Sequence, residues 1–184
     1  DLAHTSDKYV TDLCNVMKTI DFSEFNGIQK EIERVISENK SIYICGNGGS
    51  ALTASHYVCD WTKMYNIKTK KQLKCYCLND NSGLFSAYCN DTNYQDALAL
   101  SLKAYANSGD LLIAISGSGN SENIINTIKT ANTLNVSTIA VVGYDGGKIG
   151  SMTKHTFHVE SFDMQFCEDI HLMFGHWVMK WITS

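Results

Sequence analysis

The chain predicts an α/β fold: a parallel sheet covered by helices on both faces. Two observations carry that expectation. Five short apolar runs alternate with longer segments of helical periodicity, the pattern of strands buried on both faces and joined by crossover helices. Two of those runs, moreover, end in a Gly/Ser-rich turn that leads straight into a helix, SIYICGNGGS (Ser41–Ser50) and DLLIAISGSGNSEN (Asp110–Asn123).

The elements follow in order. Val10, Leu13, Val16, Met17 and Ile20 recur at helical spacing, and Ile28, Ile32, Val35 and Ile36 share one face of a second helix over Phe22–Asn39. Residues 1–40 therefore read as a helical hairpin that docks or oligomerises, ahead of one α/β domain over 41–184. Strands are expected at Ile42–Cys45, Lys74–Leu78, Leu111–Ile115, Thr138–Val142 and Thr156–Val159. Helices are expected at Ser50–Met64, Tyr94–Ala106 and Ser121–Leu134, with a short one at Ile149–Thr153 and a closing one over Asp163–Ile182. In such sheets ligands gather at the carboxyl ends of strands, near the topological switch point. Both Gly/Ser turns fall there.

The turns have a chemistry of their own. A strand that ends in small residues and opens a helix leaves backbone N–H groups facing open space, with the positive end of the helix dipole behind them, an arrangement that suits a phosphate. The second turn adds the hydroxyls of Ser116, Ser118 and Ser121, which donate to an anion without adding charge. A single turn of this kind is a common βα connection; two in one small domain point to a shared anion site.

Bulk composition narrows the field. With 184 residues, 44% apolar and 18% charged, the chain is sized for one domain with a sizeable core. Net charge is −4 and the densest basic stretch is KTKKQLK (Lys68–Lys74), a solvated loop or strand edge, so nucleic acid is not expected as a ligand. The seven cysteines are odd in number and lack CxxC spacing, and several lie in apolar runs. They read as small buried hydrophobes in a reducing cytosol. No apolar stretch approaches the ~20 residues that span a bilayer, and the polar start DLAHTSDKYV does not look like a signal peptide. A cytoplasmic protein without a membrane partner is the expectation.

The segments GNGGSALTASHYVCDW, GDLLIAISGSGNSENIINTIKTAN and VVGYDGGKI resemble, in order and spacing, the sugar isomerase (SIS) family. The likeness runs from about Ser41 to the last residue and is strongest to the members that isomerise sedoheptulose 7-phosphate. It implies a flavodoxin-like three-layer α/β/α sandwich, a homotetramer with active sites shared between subunits, and a phosphorylated sugar as substrate. It implies the conversion of that ketose to a manno-heptose 7-phosphate on the way to surface polysaccharides. Matched motif by motif, it places Asn47, Gly48, Gly49 and Ser50 in a first substrate loop and Asn90 and Asp91 in a second contact segment. Ser116, Gly117, Ser118 and Ser121 match the phosphate loop, with Gly117 where relatives often carry Thr. His56, Asp60, Glu168 and His176 fall on the metal and acid/base positions, and Zn²⁺ is the metal implied. Two of those four depart from the family pattern, Asp60 standing for the usual Glu and Glu168 for the usual Gln. The pair reads either as a carboxylate relocated from the first helix to the last or as the mark of a different phosphosugar. Gln165 is available to replace the missing amide.

The residues themselves support part of this. His56 and Asp60, four apart on a helix, project from one face and can hold a metal, work as an acid/base pair, or simply bond each other. Glu168 and His176, eight apart, differ by about 80° and ~12 Å on an ideal helix, so they converge on one substrate only if both reach inward. Asp169 shares a face with His176 more closely and is an open alternative, whereas His171 reads as structural. An aldose–ketose isomerase needs a base for the proton α to the carbonyl and an acid or metal for the enediolate oxygen. Asp60 or Glu168 fits the first role and His176 the second. A phosphosugar-binding adaptor that does no chemistry is the competing class, although it has no use for the His/carboxylate sets.

Overall fold

The computed structural model describes all 184 residues. The sheet has five parallel strands, β1 (Ile42–Cys45), β2 (Cys75–Cys77), β3 (Leu111–Ser116), β4 (Ser137–Val142) and β5 (His155–His158), in the order β2-β1-β3-β4-β5. The helices are α1 (Leu2–Lys18), α2 (Phe25–Ser37), α3 (Gly48–Thr69), α4 (Ser82–Asp91), α5 (Tyr94–Tyr105), α6 (Glu122–Thr133) and α7 (Met164–Ile182). Strands β1, β3 and β4 are buried on both faces, and the two-residue strand period divides their side chains between two cores. Ile42, Ile44, Leu111, Ile113, Ile115, Ile139 and Val141 pack with α2, α3 and α7. Tyr43, Cys45, Leu112, Ala114, Ala140 and Val142 pack with α5 and α6 on the other side. The expected three-layer α/β/α sandwich is the observed one.

Differences from expectation are local. The first helix is already formed at Leu2, eight residues before its first apolar marker, and the Asp1 carboxylate accepts a bond from the Ala3 amide, 3.1 Å long. The expected helix at Ile149–Thr153 is a single 3₁₀ turn, Ile149–Ser151. Helix α4 has no counterpart in the sequence reading: SGLFSAYCND buries no residue, so it carries little helical periodicity to detect.

One pairing fixes the functional end of the molecule. Helices α3 and α7 lie side by side in the same direction, and Tyr57 and Trp61, one turn apart on α3, stack with ring centroids 5.2 Å apart. The Trp61 indole donates to the Gly175 carbonyl at 2.8 Å and the Tyr57 hydroxyl donates to the His171 carbonyl, again one turn apart on α7. A Cβ at Gly175 would collide with the Tyr57 ring. A second tie comes from His171, whose Nε2–H donates to the Val142 carbonyl at 2.9 Å. Burial holds this imidazole down to about 4, so it stays neutral and joins α7 to the end of β4.

At the opposite end of the sheet, Glu31 of α2 is 5% exposed and bonds Arg34 and Lys154, each at 2.7 Å. Burial alone would raise its pKa, but the hydrogen bonds from Arg34 and Lys154 outweigh it and hold the carboxyl at about 2. The folded-state pKa lies below the ordinary 4.5, so this contribution to stability is complete above pH 4.5 and is lost as pH falls toward 2.

Two outcomes follow for thermal melting. Gly175→Ala overfills the α3–α7 seam, at a cost of about 1–3 kcal/mol, and should lower Tm by roughly 2–12 °C. Glu31→Gln should melt below the wild type at pH 7, and the gap should close as pH drops from 4.5 toward 2; a gap constant with pH would refute the ion-pair account.

Candidate active site

The strand order places the switch point between β1 and β3: the chain steps from β1 to β2 on one side and then crosses back to β3 on the other. The turns leaving β1 and β3 are therefore adjacent, and they open onto one cavity of about 160 Å³. Asn47 and Ser50 line it from the first turn, and Ser116, Gly117, Ser118 and Ser121 from the second. Its volume is about five times a water's share of the liquid, room for a tetrahedral anion but not for a whole sugar. Two larger hollows lie elsewhere, one of about 690 Å³ near Glu33 and Trp181 and one of about 630 Å³ along the β2 edge near Tyr76. Neither contains a Gly/Ser turn or the paired imidazoles.

The local geometry explains the cavity's donors. Helix α3 starts at Gly48, which adopts φ +50° with nothing within 4 Å of its missing Cβ, so the turn is open on that side. In the first turns of α3 and α6 the Ser50 and Ile124 amides bond the Asn47 and Ser121 carbonyls at 2.9 and 3.1 Å, which leaves those of Gly48, Gly49, Glu122 and Asn123 without an acceptor in their own helices. Ser121 is the N-cap of α6 but makes no side-chain capping bond, so its hydroxyl remains available. Ser116 and Ser118 accept from the Gly119 and Asn120 amides at 3.1 and 3.3 Å, which leaves each O–H proton to donate elsewhere. The Met164 thioether occupies the space that a side chain at Gly117 would need.

Glu168 also lines this cavity, and its Oε1 would lie 3.1 Å from a Cβ at Gly49. The four expected metal residues are therefore not gathered within one chain. His56, Asp60 and His176 meet, while Glu168 faces the cradle, because α3 and α7 run in parallel: Gly49 pairs with Glu168 at their starts, and His56 with His176 two turns further on. In the trio, His56 Nε2 and His176 Nε2 lie 3.1 and 3.5 Å from Asp60 Oδ2 and 3.3 Å from each other. Donors around a tetrahedral ion bound at 2.0–2.1 Å stand about 3.3 Å apart. The three side chains are 28–47% exposed, and all their ligand atoms lie within 4.8 Å of one another. Two imidazoles and a carboxylate at that spacing fit a divalent cation with a position left open.

The remaining candidates land elsewhere. Asp169 accepts a bond from the Tyr9 hydroxyl of α1 at 2.6 Å, which pushes that tyrosine up to about 12 and ties Asp169 away from the cavity. Gln165 is exposed on the first turn of α7. Asn90 and Asp91 are exposed at the end of α4, bonded to each other at 2.9 Å and outside their own chain's cavity. Sequence reasoning missed Asn123 and Tyr94, which bond Asn47. The visible signal was an Asn two residues after the last loop serine.

Fold and site together define an α/β protein with a Gly/Ser-lined cavity at its switch point and a His/Asp trio two turns further along α3 and α7. The SIS domain family profile matches residues 8–143. The probable phosphoheptose isomerase of Thermoplasma acidophilum is 30% identical over 96% of this chain and 97% of its own length. The phosphoheptose isomerase of Aliarcobacter butzleri is 36% identical over 83% and 80%. The structure of phosphoheptose isomerase GmhA from Neisseria gonorrhoeae superposes with a TM-score of 0.90 at 25% identity, covering 99% of this chain and 98% of that one. The chain belongs to the SIS domain family and falls among its phosphoheptose isomerases.

Proposed function

We propose that the protein is a cytoplasmic aldose–ketose isomerase that converts sedoheptulose 7-phosphate to D-glycero-D-manno-heptose 7-phosphate for surface-polysaccharide synthesis. The observation that carries this reading is the opening of both Gly/Ser turns onto one small cavity, together with relatives named for the same activity. The phosphate rests against the first-turn amides of α3 and α6 and the hydroxyls of Ser118 and Ser121, and the sugar extends outward. Asp60 takes the C1 proton and returns it to C2. Both imidazoles face its Oδ2, which leaves Oδ1 for that transfer. The hydroxyl proton passes from O1 to O2 as the carbonyl moves from C2 to C1, carried by His176 when its Nε2 holds no cation. His56, Asp60 and His176 would hold a divalent cation, Zn²⁺ in this reading, and it would supply positive charge beside the reacting oxygens.

The working unit is a homotetramer in which one copy's cradle meets another's trio. Within one chain Glu168 and the trio stand about two turns, roughly 12 Å, apart along α7, which leaves room for a neighbouring copy to complete the site. Asn90 and Asp91 are exposed and available to a neighbouring copy, and α1, with no buried residue and with Leu2 and Val10 more than half exposed, supplies an apolar face for assembly. Residues 1–40 serve oligomerisation in this scheme through α1, because α2 packs Ile28, Ile32 and Val35 into the core of the phosphosugar domain over 41–184.

Steady-state kinetics on sedoheptulose 7-phosphate test the assignment. Ser118→Ala and Ser121→Ala should chiefly raise KM, by about tenfold each, with kcat little changed. Asp60→Asn should lower kcat at least a hundredfold while inorganic phosphate still binds. Full activity in Asp60→Asn would refute the base, and a wild type that binds phosphosugars without turning them over would favour the adaptor class.

Mixing tests the shared site. His56→Ala and the Ser118→Ala/Ser121→Ala double variant are each expected to turn over little substrate at concentrations near the wild-type KM, and His56→Ala to bind Zn²⁺ at least about tenfold more weakly. Mixed oligomers should regain activity, since some of their sites receive both intact halves. Mixed oligomers, verified by mass spectrometry, that stay inactive would place the whole site in one chain.

A further inference from the structure

Asn47 is held by a constellation that the mechanism above does not use. Its Nδ2 donates to Asn123 Oδ1 at 2.9 Å, and its Oδ1 accepts from Asn123 Nδ2 at 2.7 Å, a reciprocal amide pair. The Tyr94 hydroxyl donates to the same Oδ1 at 2.9 Å. Asn47 belongs to the turn after β1, Asn123 to the first turn of α6 and Tyr94 to the first residue of α5. Asn126, one turn beyond Asn123, donates to Asp96 Oδ1 at 2.9 Å and so ties α6 to the same turn of α5. Asn123 is 2% exposed, and its amide has no other side-chain partner. An amide pair of this kind tolerates little displacement, because separating it leaves buried donors and acceptors unpaired.

The two residues joined by this pair sit on the two turns whose separation is the width of the anion cavity. Asn47 lines that cavity and Asn123 does not. Of the four bonds an amide can make, Asn47 spends three on the clamp, which leaves one Nδ2 hydrogen for a ligand. We infer that Asn123 and Tyr94 are positioning residues: they lock Asn47 and set the gap between the two turns, and thereby the affinity for the phosphate ester, without touching it. This rests on the reading of the cavity as a phosphate site.

The experiment compares Asn123→Asp, Tyr94→Phe, Asn47→Ala and the Asn47→Ala/Asn123→Asp double variant of the full chain. Asn123→Asp keeps the shape but removes the donor to Asn47. KM for sedoheptulose 7-phosphate and Kd for inorganic phosphate should both rise about tenfold in Asn123→Asp and about threefold in Tyr94→Phe, with kcat within about twofold. The double variant should be no worse than its weaker-binding single, because both changes break one device. A merely structural role would instead lower Tm and leave KM and phosphate Kd unchanged. That result, or effects that multiply in the double variant, would overturn the inference. Hydrogen exchange of the Asn47 side-chain amide, followed by NMR, separates the clamp from the function. Slow exchange in the wild type and solvent-like exchange in Asn123→Asp support the clamp even if no sugar phosphate is turned over; fast exchange in the wild type refutes it.

Discussion

The parallel contact between α3 and α7 is the constraint on which the rest of the site depends. Helix–helix seams are usually held by apolar ridges, whereas this one is also indexed by two hydrogen bonds, from Tyr57 and Trp61 to the His171 and Gly175 carbonyls. Gly175 makes that possible, since only a residue without a Cβ lets the Tyr57 ring lie so close to α7. The two bonds are one helical turn apart on both helices, so they fix axial register as well as distance. Register then decides chemistry: the residue before Tyr57 is His56, the residue before Trp61 is Asp60, and the residue after Gly175 is His176. A slip of one turn would move His176 off the His56/Asp60 pair by about 5.4 Å and dissolve the trio.

Much of this was legible in the chain, and the reasons for what was not are physical. Strands β1, β3 and β4 stood out because burial on both faces removes polar residues from them, and the two Gly/Ser turns stood out because glycine and serine have few other reasons to cluster after an apolar run. The His56–Asp60 pair followed from helical spacing alone. The convergence of His176 did not, because it depends on how two helices distant in sequence align, and the tie that aligns them runs through carbonyls that no side-chain pattern reports. Asn123 was hidden for a similar reason: an asparagine in a first turn looks like one more polar residue until its partner, 76 positions earlier, is placed against it. Helix α4 escaped because it packs so shallowly that its sequence need not be periodic.

Gly117 shows how a departure from the family pattern is absorbed. The resemblance implies a threonine there, and the glycine removes a hydroxyl from the loop after β3. The space is not left empty, for the Met164 thioether fills it from α7. Methionine suits this role, being flexible and unbranched. It covers the loop with an apolar cap on that side, leaving Ser118, Ser121 and the backbone amides facing the cavity, with Glu168 as the one charged side chain lining it.

Charge around the cradle argues further for a site completed by a second copy. No lysine or arginine lines the cavity, and Glu168 adds a negative charge to it. The two helix N-termini supply about half a positive charge each, against a phosphate monoester that carries about −1.5 to −2 at neutral pH. Hydroxyl and amide donors solvate the anion but do not neutralise it, and the carboxylate beside it enlarges the deficit. The proposed arrangement supplies what is lacking, because the trio of a neighbouring copy brings two imidazoles and, when loaded, a dication toward the same opening. Glu168 then has a partner for its charge rather than only an anion to repel, and a glutamate becomes as serviceable at that position as the family's usual amide.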